Sequence, residues 1–590
     1  MTQKTQHPKE STPLREFYDA LTSQERRFIP HLASDRLGVI LRCAVNELDW
    51  FFYNLSKTKA PTYEQQEQFY LLHHGVARLI QLSLDARVSF DVPTISFRRT
   101  SSLTIFVLEI ASALGMIEHG RRVAQTVALG TGRIERVDEN EFRILLPAQL
   151  VDEECLERST LEHYQSESRR LFSTMMDSKR WKTLDADISA KLQELVHPFE
   201  NHFIGYGADP LLDDYFFGIA YQEIQLQDGV DTFHYAIRFG DVCFQNYILA
   251  LTFLMSLHFR HRRFAEALVY KEPGIKIEDI LTITSETDGL VESIKDGVNH
   301  FGSVFNEFEK IELAAARTIF EVLSSSRRNT SLLSAPGSPL PLLIQSSDQG
   351  VIRCLTGAYS EPIRMLLESL RHHFPQDYAK NQQSREQAMQ RAVKRVLNET
   401  FDALIYRENT KICLDGKIMT DIDLVVLEER TGCVMLCQLK NQEIYGYNLH
   451  SKHIRSERLK KQVSDWLGSL DKWVSAVDKK AIRDSLRLPK TFPEPSIFRV
   501  IISKHFSHPL REICQPEDTA FSSWIEFFNG NALLKTRKCE RKLVNLIQIL
   551  KEAQSPPQTP THLPEPTTKW TINELIFTTH QENDDLIPKK

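Results

Sequence analysis

The sequence predicts a multidomain protein: a mainly α-helical N-terminal region followed, in the C-terminal third, by an α/β domain with a mixed sheet. Amphipathic helical patterns dominate the first 380 residues. Two apolar, strand-like runs joined by a turn lie between residues 417 and 440, and further helix and strand patterns flank them. With 590 residues, 42% of them hydrophobic and 25% charged, the chain is expected to fold into three or four domains.

The first predicted domain covers residues 1–205 and is helical. Helical patterns run over residues 34–55, 63–86 and 102–120. Two strand patterns follow, at 133–137 and 142–146, and together they predict a β-hairpin. This hairpin has two interpretations, the wing of a winged-helix DNA reader or a hairpin that caps a helical bundle.

The remaining boundaries follow from helical periodicity and from shifts in composition. Residues 206–325 are predicted to form a second helical domain, whose most apolar run is too short to span a bilayer. Residues 326–380 are interpreted as a linker and helical connector, because Ser, Pro and Gly are concentrated at its start. Residues 381–550 form the predicted α/β domain, and residues 551–590 a Pro-rich flexible tail.

Composition also bounds the cellular setting. The chain opens with polar residues and not with a charged-then-apolar signal sequence, so we expect a cytoplasmic protein without membrane association. Its nine cysteines include no C-x-x-C pair, which is typical of a reducing compartment and does not indicate a disulfide framework or a zinc ribbon.

The stretch from Lys417 to Lys440 carries the candidate chemistry. If residues 429–432 form the turn, Asp423 lies opposite Gln438 and Asp421 lies opposite Lys440. Residues two apart on a strand share a face, so all four side chains are predicted to point the same way. Such groups are costly to bury in an apolar sheet unless they serve each other or a metal. The alternative is an ordinary cross-strand Asp–Lys pair that contributes up to about 1 kcal/mol.

The spacing D-x-D, hairpin turn, Q-x-K resembles the core of the PD-(D/E)xK nuclease superfamily, in the variant with Gln that modification-dependent restriction endonucleases use. The resemblance is confined to residues 381–550. It implies that Asp423 is the invariant aspartate, Gln438 the second metal ligand and Lys440 the catalytic lysine. It also implies that the backbone carbonyl of Leu439 is a third ligand and that Asp421 occupies an acidic position that often precedes the aspartate.

The flanking patterns agree with the α-β-β-β-α-β core of this restriction-endonuclease-like fold. A helix is predicted at 384–401, a strand at 403–406 or 411–414, a basic helix at 453–477 and a buried strand at 496–503. Family members often place a Glu of the first helix beside the metal, and Glu386 is the candidate. A solvated glutamate at a helix start is the alternative.

The resemblance implies phosphodiester hydrolysis with Mg²⁺ or Mn²⁺ as the cofactor. Lys440 would orient or deprotonate the attacking water, or stabilise the pentavalent phosphate. Because Gln is a weaker, neutral ligand, three consequences stay open. The first is weak metal binding. The second is metal binding that Asp421 or Glu386 assists. The third is a domain that binds DNA without cutting it.

Charge distribution favours a nucleic-acid partner. Residues 381–550 contain 28 basic and 21 acidic residues, a net charge of +7, whereas the whole chain carries −6. A basic module on an acidic chain is typical of phosphate-binding domains. The candidate nucleic-acid contacts lie at the start of the post-motif helix; a solvated helix face is the alternative for them. They are Lys452, Arg455, Arg458, Lys460, Lys461 and Gln462, the last at a position where some family members support the lysine.

Three classes of function follow. The first is a metal-dependent nuclease in restriction or defence against foreign nucleic acid, with DNA as the expected substrate. The second is a catalytically inactive nuclease-like protein that binds DNA or acts as a regulatory scaffold. The third is an unrelated regulatory protein with a structural hairpin. In the first class, the helical N-terminal region is expected to sense or recognise the target and to contact a partner protein or a second copy.

Overall fold

A computed structural model describes residues 12–93, 98–147, 156–157, 160, 173, 176–200, 203–227, 233–335, 337–442, 448–513, 515–536, 540–552 and 567–582. Within these residues the protein is a mixture of helices and several sheets. The helices are α1 Thr12–Arg26, α2 Ile29–Leu32, α3 Leu37–Lys57, α4 Tyr63–Ala86, α5 Ser101–Ala128, α6 Lys179–Leu195, α7 Pro210–Gln227, α8 Phe244–Lys271, α9 Thr287–Gly302, α10 Leu313–Leu323, α11 Leu355–Tyr359, α12 Pro362–His373, α13 Pro375–Lys380, α14 Gln382–Asn398, α15 Leu449–Ala476, α16 Lys479–Ser485, α17 Trp524–Thr536 and α18 Leu543–Glu552.

The strands are β1 Arg133–Asp138, β2 Glu141–Pro147, β3 Val196–Phe199, β4 Phe203–Tyr206, β5 Arg238–Phe239, β6 Val242–Cys243, β7 Ile283–Glu286, β8 Ser324–Ser325, β9 Leu343–Gln345, β10 Gly350–Arg353, β11 Ile405–Leu414, β12 Lys417–Glu428, β13 Cys433–Lys440, β14 Ser496–Ser503, β15 Thr519–Ser523, β16 Thr567–Ile572 and β17 Leu575–Glu582.

Two hydrophobic cores organise the helical part of the chain. Helices α1, α3, α4 and α5 surround the first core, and helices α6 to α13 surround the second. Because α6 packs in the second core, that unit begins before the predicted boundary at residue 205. By length and composition α5 is apolar enough to cross a membrane, but many of its apolar residues are buried in the first core.

The C-terminal tail returns to the N-terminal core. Strands β16 and β17 complete a four-stranded sheet of order β1-β2-β17-β16, in which β17 runs parallel to β2. Phe577 of β17 is fully buried, and its ring lies 5.4 Å from that of Phe17 in α1. The prediction of a flexible tail is therefore wrong for residues 567–582. The β1–β2 hairpin packs on helices, as the bundle-cap interpretation predicts.

Residues 326–380 are not a linker. Strands β9 and β10 of this segment pair with β7 and β8 in a four-stranded sheet of order β7-β10-β9-β8. The apolar residues Leu340, Leu343 and Ile344 are fully buried. Ser, Pro and Gly here form tight connections inside the helical region, and composition alone does not distinguish such connections from a linker.

The C-terminal module is built on one five-stranded mixed sheet of order β11-β12-β13-β14-β15. The pairs β11–β12 and β12–β13 are antiparallel, and the pairs β13–β14 and β14–β15 are parallel. Helices α14, α17 and α18 cover one face, and α15 and α16 cover the other. Of the two alternative strands predicted before the hairpin, 411–414 lies within the single strand β11 and 403–406 overlaps its start at Ile405. Strand β15 adds an edge strand that the sequence pattern did not predict.

Candidate active site on the β12–β13 hairpin

The predicted register of the hairpin is confirmed. Residues 429–432 form the turn, and the ladder pairs Glu428 with Cys433 and continues to Leu424 opposite Cys437. Gly432 adopts φ +72°, and a Cβ there would lie 2.8 Å from the carbonyl oxygen of Glu494. Only glycine suits this combination of backbone conformation and close approach. The next facing positions beyond the ladder are Asp423 and Gln438.

Asp423 bridges the two strands where their regular pairing ends. Its Oδ2 accepts a hydrogen bond from the backbone N–H of Leu439 at 2.6 Å and another from Nε2 of Gln438 at 2.8 Å. The Asp423 carboxylate thus accepts the Leu439 N–H in place of a main-chain carbonyl of the neighbouring strand. This contact brings together the three residues that the sequence assigned as principal metal ligands.

Two oxygen atoms beside this carboxylate are suited to a cation. Gln438 is 5% exposed, and its Oε1 is buried without a hydrogen-bond partner among the described residues. Because Nε2 donates to Asp423, the amide oxygen is the atom that remains available. The N–H and C=O of one strand residue face the same neighbouring strand, so the Leu439 carbonyl lies on the edge that faces Asp423.

The environment of Asp423 opposes its ionisation. Burial raises the pKa of this carboxyl to about 6, and the charges of Asp421 and Glu386 act in the same direction. The Leu439 N–H and the Lys440 ammonium act in the opposite direction. Asp421, Glu386 and Lys440 are therefore all close enough to Asp423 to affect its charge state, and negative charge is in excess around it.

The surrounding charges do not neutralise each other through direct contacts. Lys440 is half-buried, Asp421 and Glu386 are exposed, and none of the three forms an ion pair within the described part of the chain. The alternative interpretation was an Asp421–Lys440 ion pair, and no ion pair joins these two described residues.

Helix α14 holds the main chain of Asp423, a feature that sequence reasoning missed. Nε2 of Gln390, which is buried, donates to the carbonyl oxygen of Asp423 at 2.9 Å and to Oδ1 of Asn409 at 3.0 Å. Asn409 has φ +49° and lies opposite Asp423, where the β11–β12 ladder skips one pair. Glu386 lies one helical turn before Gln390, so α14 brings this glutamate toward the same carboxylate.

The donor set fits a hard divalent cation that is bound partly by neutral oxygens. Among the described residues no group of three or more His, Cys, Asp or Glu side chains is arranged to hold a metal ion. A metal here would depend on Asp423, the buried Oε1 of Gln438 and the Leu439 carbonyl. Mg²⁺ accepts such oxygen sets and retains several water molecules.

The candidate nucleic-acid residues divide into three groups. Lys452 and Arg455 are buried and form ion pairs with the buried Glu157 of the N-terminal region, which contradicts their assignment to a phosphate-binding surface. Lys460 is ion-paired with Glu457 and with Glu512, the latter at 2.7 Å.

The third group lies on the surface. Arg458, Lys461 and Gln462 are exposed on α15 and available to a polyanion. No hydrogen bond joins Gln462 to Lys440 in the described part of the structure, so no contact supports the role of Gln462 in positioning the lysine.

No protein-family model, no curated protein and no solved structure matches this chain.

Proposed function

We propose that residues 381–550 form a metal-dependent nuclease module of the PD-(D/E)xK type that hydrolyses phosphodiester bonds in DNA, in restriction or defence against foreign nucleic acid. The observation that carries this proposal is the contact of Asp423 with Gln438 and Leu439 where β12 and β13 part, with Lys440 unpaired beside it. A sheet with α14 on one face and α15 on the other agrees with the fold that the resemblance implies.

Asp423, Gln438 Oε1 and the Leu439 carbonyl would hold Mg²⁺ or Mn²⁺, and Asp421 and Glu386 would add negative charge around it. A divalent cation supplies charge neutralisation for the phosphate and a more acidic bound water. Gln390 fixes the main chain of Asp423, and the Leu439 N–H orients its carboxylate. Lys440 carries the free ammonium that would orient the attacking water or stabilise the phosphate.

Phosphate contacts would come from the exposed basic residues of α15, Arg458 and Lys461. Affinity for DNA is then expected to fall steeply with salt, because each phosphate contact releases condensed counterions.

A second candidate function is a nuclease-like protein that binds DNA without cutting it. The observation that favours it is the neutral amide at position 438, which leaves Asp423, among the described residues, as the one carboxylate that hydrogen-bonds to this strand edge. Asp423 must also carry its charge against a raised pKa. Both features lower the affinity of the site for a cation.

The test is an incubation of the purified full-length protein with supercoiled plasmid, linear DNA and RNA, with Mg²⁺, with Mn²⁺ and with a chelator. Cation-dependent cleavage that Lys440→Ala abolishes and that the exposed-strand control Lys417→Ala retains supports the nuclease. Salt-sensitive DNA binding without cleavage by any of these proteins supports the second candidate. Neither binding nor cleavage of any substrate at low salt rejects both.

A further inference from the structure

Two arginine side chains are buried in the helical region without a carboxylate partner. Arg42 of α3 is fully buried, and Arg353 of β10 is 8% exposed. Neither forms an ion pair with another described residue. A buried guanidinium group is costly unless a counter-ion and acceptors surround it. Compensation for these two charges by the described side chains is therefore partial: the Tyr206 hydroxyl interacts with Arg353 and the charge of Asp49 acts on Arg42, but no carboxylate pairs directly with either guanidinium group.

Asp49, whose charge acts on Arg42, already accepts hydrogen bonds from neutral donors. Asp49 accepts hydrogen bonds from the N–H and the hydroxyl of Thr356, both at 2.8 Å, and from the hydroxyl of Thr282 at 2.6 Å. Arg42 instead donates from Nη2 to the carbonyl of Thr282, and its Nε and Nη1 have no partner in the described structure. Burial raises the pKa of Asp49, which weakens it further as a counter-ion.

Arg353 lies against the same segment as Arg42. In the β7–β10 ladder its facing residue is Ile283, which follows the Thr282 that Arg42 contacts. Nε and Nη2 of Arg353 are buried without a hydrogen-bond partner in the part of the chain that is described. Arg42 and Arg353 thus meet adjacent residues of one chain segment with donors unused, and both charges lower the pKa of the buried His261, so both lie near that ring.

A neutral histidine adds an acceptor to this cluster. His258 of α8 is 3% exposed, and its Nδ1 lies 2.7 Å from the carbonyl oxygen of Leu254, so Nδ1 must donate. Burial and then the charge of Arg353 hold the pKa of His258 well below its usual value, which keeps the ring neutral. Its Nε2 is therefore an acceptor, and this atom is buried without a partner among the described residues.

We propose that Arg42, Arg353 and His258 form a buried binding site for hydrogen phosphate. The two guanidinium groups supply charge-assisted donors to the oxyanion. The Nε2 of His258 accepts the hydrogen bond of the P–OH group, which sulfate lacks at neutral pH. Because the three side chains are enclosed, the site takes the free ion and excludes a nucleotide. This proposal is independent of the nuclease function.

The test is equilibrium dialysis of the full-length protein against inorganic phosphate, together with thermal unfolding at constant ionic strength in phosphate, sulfate, chloride and AMP. We expect about one phosphate per chain and an unfolding midpoint that rises with phosphate concentration. The rise should be smaller in sulfate and absent in chloride and AMP. Equal stabilisation by phosphate and sulfate, or by phosphate and AMP, or no bound phosphate, would overturn the proposal.

Variants locate the ion. Arg353→Met should lose phosphate binding, and His258→Phe should lose the preference for phosphate over sulfate. The exposed Arg328→Met, which removes an ion pair with Glu321, and Lys440→Ala in the candidate nuclease site should both retain binding. If Arg353→Met does not fold, phosphate and sulfate binding by the wild type and by His258→Phe, measured by equilibrium dialysis, tests the assignment instead. Undiminished phosphate binding by folded Arg353→Met, or its loss in Lys440→Ala, would contradict the assignment.

Discussion

The surroundings of Asp423 favour the protonated form of its carboxyl group. Its pKa of about 6 exceeds the usual 3.8. A carboxyl with a raised folded-state pKa contributes stability that is present below the unfolded-state pKa and is lost as the pH rises through the folded-state pKa. The difference between these two pKa values corresponds to at most about 3 kcal/mol of unfolding free energy. The partial exposure of Asp423 reduces this contribution.

Asp423→Asn is therefore expected to raise the unfolding midpoint of the C-terminal module at pH 8 and to have little effect at pH 4. Added Mg²⁺ or Mn²⁺ should stabilise the wild type above pH 6 and should not stabilise the variant. Thermal unfolding across pH 4–8, with and without cation, measures both effects. A variant that is less stable than the wild type at pH 8 would show that Asp423 has a structural role.

Gln438→Glu tests whether the amide oxygen is a ligand. A carboxylate is a harder and charged ligand, so cation affinity should rise, by roughly tenfold for each 1.4 kcal/mol gained, and cleavage should be retained or increased. Isothermal titration with Mn²⁺ and the cleavage assay check this. Unchanged affinity in Gln438→Glu, beside a silent Asp423→Ala, would mean that the hairpin is structural.

At the residue scale, the sequence predicted the contacts that arise within the hairpin. A four-residue turn and strand alternation are local, so Asp423 and Gln438 could be placed opposite each other without knowledge of the fold. The roles of Gln390 and of Glu157 could not be predicted in this way. They depend on how a helix and a distant segment pack on the sheet and on α15, and no local pattern encodes that packing.

Helix α14 and strand β12 act as one unit through Gln390. Gln390→Leu removes two hydrogen bonds from a buried position and leaves the Asp423 carbonyl and the Asn409 amide oxygen without this donor. The expected cost is about 1–3 kcal/mol.

Because the main chain of Asp423 is then less constrained, cation affinity and cleavage should fall together. The exposed Gln387→Leu on the same helix is the matched control for added apolar surface. Titration with Mn²⁺ and cleavage assays separate the two variants. Equal activity of Gln390→Leu and Gln387→Leu would show that α14 does not position the site.

At the scale of elements, the long periodic segments were predicted well. The α4 helix matches its predicted range, and β14 was predicted at its observed bounds. The start of β11 was ambiguous because Asn409 interrupts its alternation in a left-handed conformation. Strand β15 escaped prediction because a short, fully covered parallel strand lacks the alternating pattern.

The whole molecule is closed by its C-terminal strands. Trp570, Ile572, Leu575 and Phe577 complete the core of the N-terminal helices, so the module between residues 381 and 552 is attached to the helical region at both ends. Composition could not predict this closure. A Pro-rich segment and a polar terminus indicate a tail, and the pairing of β17 with β2 joins residues more than 400 positions apart.

Phe577→Ala is expected to destabilise the helical region by about 3–5 kcal/mol, because it opens a cavity beside Phe17 and Phe142. The exposed Thr571→Ala on the preceding strand is the control. Urea unfolding and hydrogen exchange of the full-length protein should place the loss of protection in α1 and α5. Protection that is lost only within β16 and β17 would show that the tail contributes little to this core.

In the proposed nuclease site, Asp423 and Lys440 have separate tasks. The most direct measurement compares Asp423→Ala and Lys440→Ala with the wild type for Mn²⁺ affinity and for cleavage of plasmid DNA. We predict that Asp423→Ala loses cation binding and cleavage together. Lys440→Ala should lose cleavage and retain cation binding, because an ammonium near a metal repels the cation and does not ligate it. Cation binding and DNA cleavage that persist in both variants would rule out the proposed nuclease site.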